Sequence, residues 1–143
     1  MTVEGPLAKE NSEKYRILGD LLNIFKERDV VIMGDMNGHT GILGEKTNTN
    51  GIRLLEFAEA SEVEILNHTL QGGVTWRDRF FESAIDYILC NHWARERIWD
   101  MHIDEDETGI FDLNTDHNVL SISYKWCMKG ITEEVGSQKS LTS

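Results

Sequence analysis

Three polar clusters in the sequence could carry chemistry, and each stands where an apolar run meets a predicted loop. The first cluster is Asp35 and Asn37, which follow the apolar run VVIM at residues 30–33. The second is Asp86 inside the run AIDYILC, and the third is the pair Asp116–His117. Polar groups converge on ligands at the strand ends of an α/β sheet. Together the clusters offer carboxylates, an amide and an imidazole, which suit metal-assisted attack of water on a phosphodiester.

Each cluster also has a plainer interpretation when it is taken alone. A carboxylate within a strand is costly unless it is paired, so Asp86 either accepts backbone hydrogen bonds or holds a histidine ring. Asp116–His117 alone would be a loop acid beside a solvated histidine. Asp35 and Asn37 are residue types that are common in turns. The strand-edge setting that all three clusters share is what favours a common site.

The composition indicates one globular domain and sets limits on its partners. The chain has 143 residues, of which 40% are hydrophobic and 27% are charged, with a net charge of −11. Such an acidic chain binds nucleic acid poorly unless a metal site supplies positive charge. No apolar run approaches the ~18 residues of a membrane helix, and no secretory signal is visible. We therefore expect an intracellular protein, nuclear or cytoplasmic, without membrane partners and with Cys90 and Cys127 as free buried thiols.

Helical and strand patterns alternate in the first half of the chain. Apolar residues at steps of three and four predict a helix that begins at Ser12. The run at 30–33 predicts a strand buried on both faces, followed by a loop at 34–51. A second helix, Gly51–Ala60, is expected to be capped by Asn50 and to turn Ile52, Leu55, Phe57 and Ala58 inward.

Further strands are predicted in the second half of the chain. They are expected at Val63–Leu66, from Val74, at Ala84–Cys90, at Trp99–Ile103 and at Asn118–Trp126, with a short helix capped by Asn91. The alternation of strands and helices predicts an α/β layered fold. We expect one domain over residues 1–128 and a frayed polar tail over residues 129–143.

Three segments resemble the motifs of the endonuclease/exonuclease/phosphatase superfamily. IMGDMNGHTG at 32–41 resembles its GD-x-N motif, SAIDYILCN at 83–91 its ID-Y strand, and TDHNVL at 115–120 its (S/T)DH motif. The order and spacing of the three motifs agree with the family. NGIRLLEF at 50–57, followed by TW at 75–76, is most similar to the endonuclease domains of non-LTR retrotransposons.

The resemblance implies a four-layered, DNase I-like α/β sandwich that cuts phosphodiester or phosphomonoester bonds with magnesium, or manganese in its place. DNA is the implied substrate. By motif, Asp35 would orient or deprotonate the attacking water, and Asn37 would hydrogen-bond the phosphate or that water. Asp86 would orient His117, which would contact the phosphate. Asp116 would bind the metal together with Asp35.

The resemblance covers only the C-terminal half of that family's domain. The upstream half, which brings a glutamate that is a principal magnesium ligand, has no counterpart in this sequence. We expect weaker metal binding and an apolar sheet face that is exposed, or covered by a second copy or by the missing half. Two alternatives stay open at this point: a non-catalytic relic or interaction module, and a phosphatase of the same superfamily.

Overall fold

The computed structural model describes the backbone of residues 6–105, 115–128 and 131–140, and the side chains of residues 12–105 and 115–125. In these residues the helices are α1 (Pro6–Ile24), α2 (Thr49–Ala60), α3 (Leu66–Thr69) and α4 (His92–Arg95). The strands are β1 (Val31–Asp35), β2 (Glu64–Ile65), β3 (Trp76–Arg77), β4 (Glu82–Ser83), β5 (Asp86–Cys90), β6 (Ile98–Ile103), β7 (Leu120–Met128) and β8 (Ile131–Ser140). The fold is mixed α/β, as the sequence predicts.

The strands form three small sheets in the described part of the chain. Their orders are β1-β5-β2, β3-β4 and β6-β7-β8, and every strand pair is antiparallel. In the first sheet β5 is the central strand, and its first residue, Asp86, lies opposite Asp35, the last residue of β1. The sheet register therefore brings two of the three polar clusters together.

The central strand β5 is buried on both faces because its side chains alternate between two apolar clusters. Tyr87 and Leu89 pack with residues of α1 and α2. Ile88 and Cys90 pack with residues of β6 and β7. The expectation that one sheet is absent and leaves an apolar face bare is wrong for β5, because the sheet that contains β6 and β7 covers that face.

The two longer helices begin earlier than the sequence predicts. α1 begins at Pro6, since proline at a helix start has no amide hydrogen that would need a partner. α2 begins at Thr49, and Asn48 caps it by accepting a hydrogen bond from the Gly51 N–H.

The buried face of α2 also differs from the prediction. Leu54, Phe57 and Ala58 are buried, whereas Ile52 and Leu55 are exposed. Leu54 and Leu55 are adjacent, so either of them could have faced inward. The packing of the helix on the sheet buries Leu54. The prediction that Phe57 and Ala58 point inward is confirmed.

β1 is an edge strand in the described part of the chain, and the prediction that it is buried on both faces is wrong. All five of its residues are half-buried. An apolar groove of about 330 Å³ lies beside it, lined by Val31, Met33, Ile122 and Tyr124 together with Asp29. An apolar strand at a sheet edge has no strand neighbour on one side to complete its burial.

Self-association of the chain stays a prediction, and we expect it to occur through the half-buried edge of β1. In sedimentation velocity the 16.4 kDa chain is expected to form larger species. A charge on this edge, Met33→Lys, should shift the population toward monomer because a lysine at an edge opposes strand pairing. The control Ile52→Lys on the exposed face of α2 should leave the population unchanged. A wild-type chain that stays monomeric and binds no apolar dye would contradict the prediction.

The C-terminal segment differs from the expectation of a frayed tail. Residues 131–140 form β8, which pairs with β7 along most of its length. Pairing with β7 satisfies the backbone polar groups on one side of this strand. The polar residues of the segment do not indicate this pairing in the sequence. The expectation of a frayed tail is wrong for residues 131–140, while the domain boundary at residue 128 stays a prediction.

Cys90 is a free thiol that is buried in β5. Burial raises the pKa of its thiol to about 12, so the thiol stays protonated and unreactive. The prediction of a free buried thiol is confirmed for Cys90, whereas the side chain of Cys127 lies outside the described side chains. Among the helices of the described segments, none has both the length and the apolar character needed to span a bilayer.

Candidate functional site

The first pair of site residues is set by the register of β1 and β5. Asp35 and Asp86 are direct cross-strand partners. Residues directly opposite each other in an antiparallel pair project from the same face of the sheet. Asp86 is buried and Asp35 is half-buried. Two carboxylates therefore lie side by side at one end of the sheet.

The imidazole of His117 completes the group by contacting Asp86. The Nδ1 atom of His117 lies 2.9 Å from Oδ2 of Asp86. The Asp86 side chain is 0% exposed and that of His117 is 10% exposed. A buried carboxylate at this nitrogen fixes the ring orientation and favours a hydrogen on Nδ1, which directs Nε2 to other partners. The sequence left two interpretations of Asp86, and this contact is the one required if Asp86 holds a histidine ring.

Backbone pairing before β7 holds His117 in place. His117 forms an isolated antiparallel bridge with Trp76. The Asn118 N–H donates to the Thr75 carbonyl at 2.7 Å, and the Asn118 side-chain amide donates to the Val74 carbonyl at 2.7 Å. The segment that carries His117 is thereby fixed against the start of β3.

Two buried polar side chains position the strand that carries Asp86. The Thr75 hydroxyl accepts from the Ile85 N–H at 2.9 Å and from the Asp86 N–H at 3.0 Å. The Asn67 amide donates to the Asp86 carbonyl at 3.0 Å and accepts from the Ile88 N–H at 2.9 Å. Sequence reasoning missed Thr75, Asn67 and Asn118 as site-supporting residues, because no spacing in the sequence distinguishes them from ordinary surface polar residues.

The three side chains could hold a metal ion. Asp35, Asp86 and His117 each offer one ligand atom, and these atoms all lie within 4.8 Å of one another. The two carboxylates at this spacing fit a hard divalent cation such as Mg²⁺ or Mn²⁺, because such ions favour oxygen ligands. The donor set is therefore compatible with the cation that the sequence motifs imply.

Asn37 lies beside this group and Asp116 is less involved in it. The Asn37 N–H donates to Asp35 Oδ1 at 2.8 Å, and its φ of 50° is a left-handed conformation that asparagine tolerates. Asp116 is exposed and does not belong to the group of three among the residues that the structure describes. Its role as a metal ligand stays a prediction.

A lysine that the sequence did not single out also reaches this strand end. Lys14 of α1 donates from Nζ to the Asp35 carbonyl at 2.8 Å. Burial lowers the pKa of Lys14, and the negative charge of Asp35 opposes that effect. The ammonium group therefore places a positive charge near Asp35.

Comparison with known proteins shows to which family the chain belongs. The model of the family described as endonuclease-reverse transcriptase matches residues 8–121, which is most of the chain. The comparison with curated proteins gave no match. The matched range contains all three polar clusters. The chain therefore belongs to the endonuclease-reverse transcriptase family, as a retrotransposon-like domain of the endonuclease/exonuclease/phosphatase type.

Proposed function

We propose that this site hydrolyses phosphodiester bonds of DNA with Mg²⁺ or Mn²⁺, within the C-terminal half of a four-layered, DNase I-like sandwich. The observation that carries the proposal is the meeting of Asp35, Asp86 and His117 within 4.8 Å in a chain of this family. Carboxylates next to a histidine supply a base, a cation site and an imidazole hydrogen-bond donor in one place.

The roles are those that the family motifs imply, and the grouping of Asp35, Asp86 and His117 supports them. Asp35 accepts a proton from the attacking water molecule while the oxygen of that water forms a bond to phosphorus. His117, held by Asp86, contacts the phosphate and stabilises the negative charge that develops there. Asn37, whose backbone contacts Asp35, hydrogen-bonds the phosphate or the water. The bond from phosphorus to the leaving oxygen then breaks, and solvent protonates that oxygen.

The family motifs assign Asp35 and Asp116 to the cation, and the place of Asp35 in the group of three supports that assignment for Asp35. A bound divalent cation would supply positive charge beside the phosphate, in a chain whose net charge is −11.

DNA is the proposed substrate because of the hairpin formed by β3 and β4. At its tip Phe80 is 80% exposed and Phe81 is 68% exposed, and the Arg79 guanidinium lies 5.9 Å from the centroid of the Phe80 ring. The hairpin adjoins the site, since Trp76 of β3 bridges to His117. Exposed aromatic rings beside arginine suit stacking on bases and contact with phosphates.

Nicking of supercoiled plasmid tests the proposed function. The wild-type chain is expected to nick plasmid with Mg²⁺ and not with EDTA, and Asp35→Asn should lower the rate by about 100-fold or more. Asp20→Asn, an exposed acid on α1, is the matched control and should retain the wild-type rate.

Three outcomes would contradict the proposal. Equal nicking by wild type and Asp35→Asn would remove the role of Asp35. Hydrolysis of a phosphomonoester without nicking would favour the phosphatase alternative. No cleavage, with Mg²⁺ binding unchanged in Asp35→Asn, would favour a non-catalytic relic.

A further inference from the structure

A buried tyrosine hydroxyl joins the loop that carries Asn37 to the strand that carries Asp86. Tyr87 is 0% exposed. Its hydroxyl lies 2.7 Å from the carbonyl oxygen of Gly38 and 3.0 Å from that of Ala84. Gly38 follows Asn37, and Ala84 stands two residues before Asp86. One phenol therefore contacts both segments that supply the site.

The contacts continue from this phenol to the surface. The Thr40 hydroxyl lies 3.1 Å from the Tyr87 hydroxyl and 2.7 Å from Nε2 of His68. Thr40 is buried, whereas His68 lies on the exposed side of α3. His68, Thr40 and Tyr87 thus form a continuous series of contacts from the solvent to the loop that carries Asn37.

The number of hydrogens decides the direction of this series. At neutral pH the Tyr87 hydroxyl keeps its single hydrogen. The Tyr87 hydrogen goes to a backbone carbonyl oxygen, because such an oxygen only accepts and that of Gly38, at 2.7 Å, is closer than the Thr40 hydroxyl at 3.1 Å. The Thr40 hydroxyl must then donate to Tyr87. Since Thr40 also has one hydroxyl hydrogen, His68 must donate to Thr40 from Nε2.

On its opposite side, the loop that carries Asn37 and Gly38 packs directly against the start of α2. A Cβ atom built at Gly38 would lie 2.7 Å from the backbone nitrogen of Gly51, so the two backbones are in direct contact. The Asn50 side chain also donates to the Asn37 carbonyl at 3.0 Å. The loop is therefore confined between the start of α2 and the Tyr87 hydroxyl.

We propose that His68, Thr40 and Tyr87 are positioning residues that form a directed hydrogen-bond chain, with His68 as the Nε2–H donor, and hold Asn37 in place relative to Asp86. The catalytic consequence rests on the proposed function, whereas the direction of the hydrogen bonds does not. A chain in which every hydroxyl both donates and accepts is rigid, because reversing one bond leaves another donor without an acceptor.

Imidazole NMR of the whole chain tests the direction without any activity. In neutral solution we expect His68 to carry a hydrogen on Nε2 whose exchange with water is slowed, and Thr40→Val to abolish that protection. A His68 ring with its hydrogen on Nδ1, or an Nε2–H that exchanges equally fast in the wild type and in Thr40→Val, would overturn the hydrogen-bond chain.

Cleavage kinetics test the positioning role. Tyr87→Phe and His68→Leu are expected to lower kcat by about 10-fold with KM unchanged, because a small displacement at the reacting atoms is enough to slow the reaction. His68→Gln, which keeps an N–H donor at the same distance along the side chain, should restore most of kcat. The control His92→Leu alters an exposed histidine on α4 and should leave kcat unchanged.

Unchanged kcat in Tyr87→Phe and His68→Leu, or equal losses in His68→Leu and His68→Gln, would overturn the positioning role. A wild-type chain that cleaves nothing would contradict the proposed function and with it the catalytic consequence. The NMR result would still decide whether the hydrogen-bond chain exists.

Discussion

Replacing His117 with alanine is expected to lower the rate of DNA cleavage by about 10²–10⁴-fold, the range for loss of a positioned histidine. The ring is 10% exposed and bonded to Asp86 through Nδ1, so its loss removes the group that contacts the phosphate. The measurement is single-turnover cleavage of a labelled duplex at saturating Mg²⁺, with thermal unfolding as a check that the variant is folded.

His102→Ala is the matched control for this change, because His102 is an exposed histidine on β6. It should cleave at the wild-type rate. Equal cleavage by the wild type and His117→Ala would remove the proposed role of His117.

Replacing Asp86 with asparagine is expected to lower the same rate by about 10²–10³-fold while nearly preserving side-chain volume. The change removes the negative charge that holds His117, and the new amide can donate to the ring and reverse its tautomer. Because Asp86 acts through His117, the double variant with His117→Ala should be no slower than His117→Ala alone. Single-turnover rates of the four proteins in the cycle give the coupling directly.

Asp100→Asn, which changes an exposed acid on β6, serves as the control for charge and should leave the rate unchanged. If the losses from Asp86→Asn and His117→Ala multiply in the double variant, the two residues act separately. That result would contradict the assignment of Asp86 to the orientation of His117.

The main elements around the site could be predicted because their signals are local. The apolar runs that precede Asp35 and surround Asp86 are strong strand patterns, and both became strands of one sheet. Asn91 caps a short helix as expected, since its side chain accepts from the Ala94 N–H. The strands that carry Asp35 and Asp86 are therefore predicted well from sequence alone.

The remaining features depend on contacts between distant segments. The burial of Thr75 and Asn67 follows from hydrogen bonds to β5, which no periodicity encodes. The polar strand β8 exists through its pairing with β7. The composition of β1 predicts a central strand, although among the described strands it pairs on one side only, with β5. Each of these features depends on pairing between segments that are distant in the sequence, which the local residue pattern does not encode.

Paramagnetic broadening by Mn²⁺ tests most directly whether a divalent cation binds at the site where the three side chains meet. With a small amount of Mn²⁺ added to the labelled chain, the amide signals around Asp35, Asp86 and His117 are expected to lose intensity first. Asp35→Asn should abolish that selective loss. Broadening that begins at exposed acids of α1 such as Glu13 and Asp20, and spares all three site residues, would contradict the account.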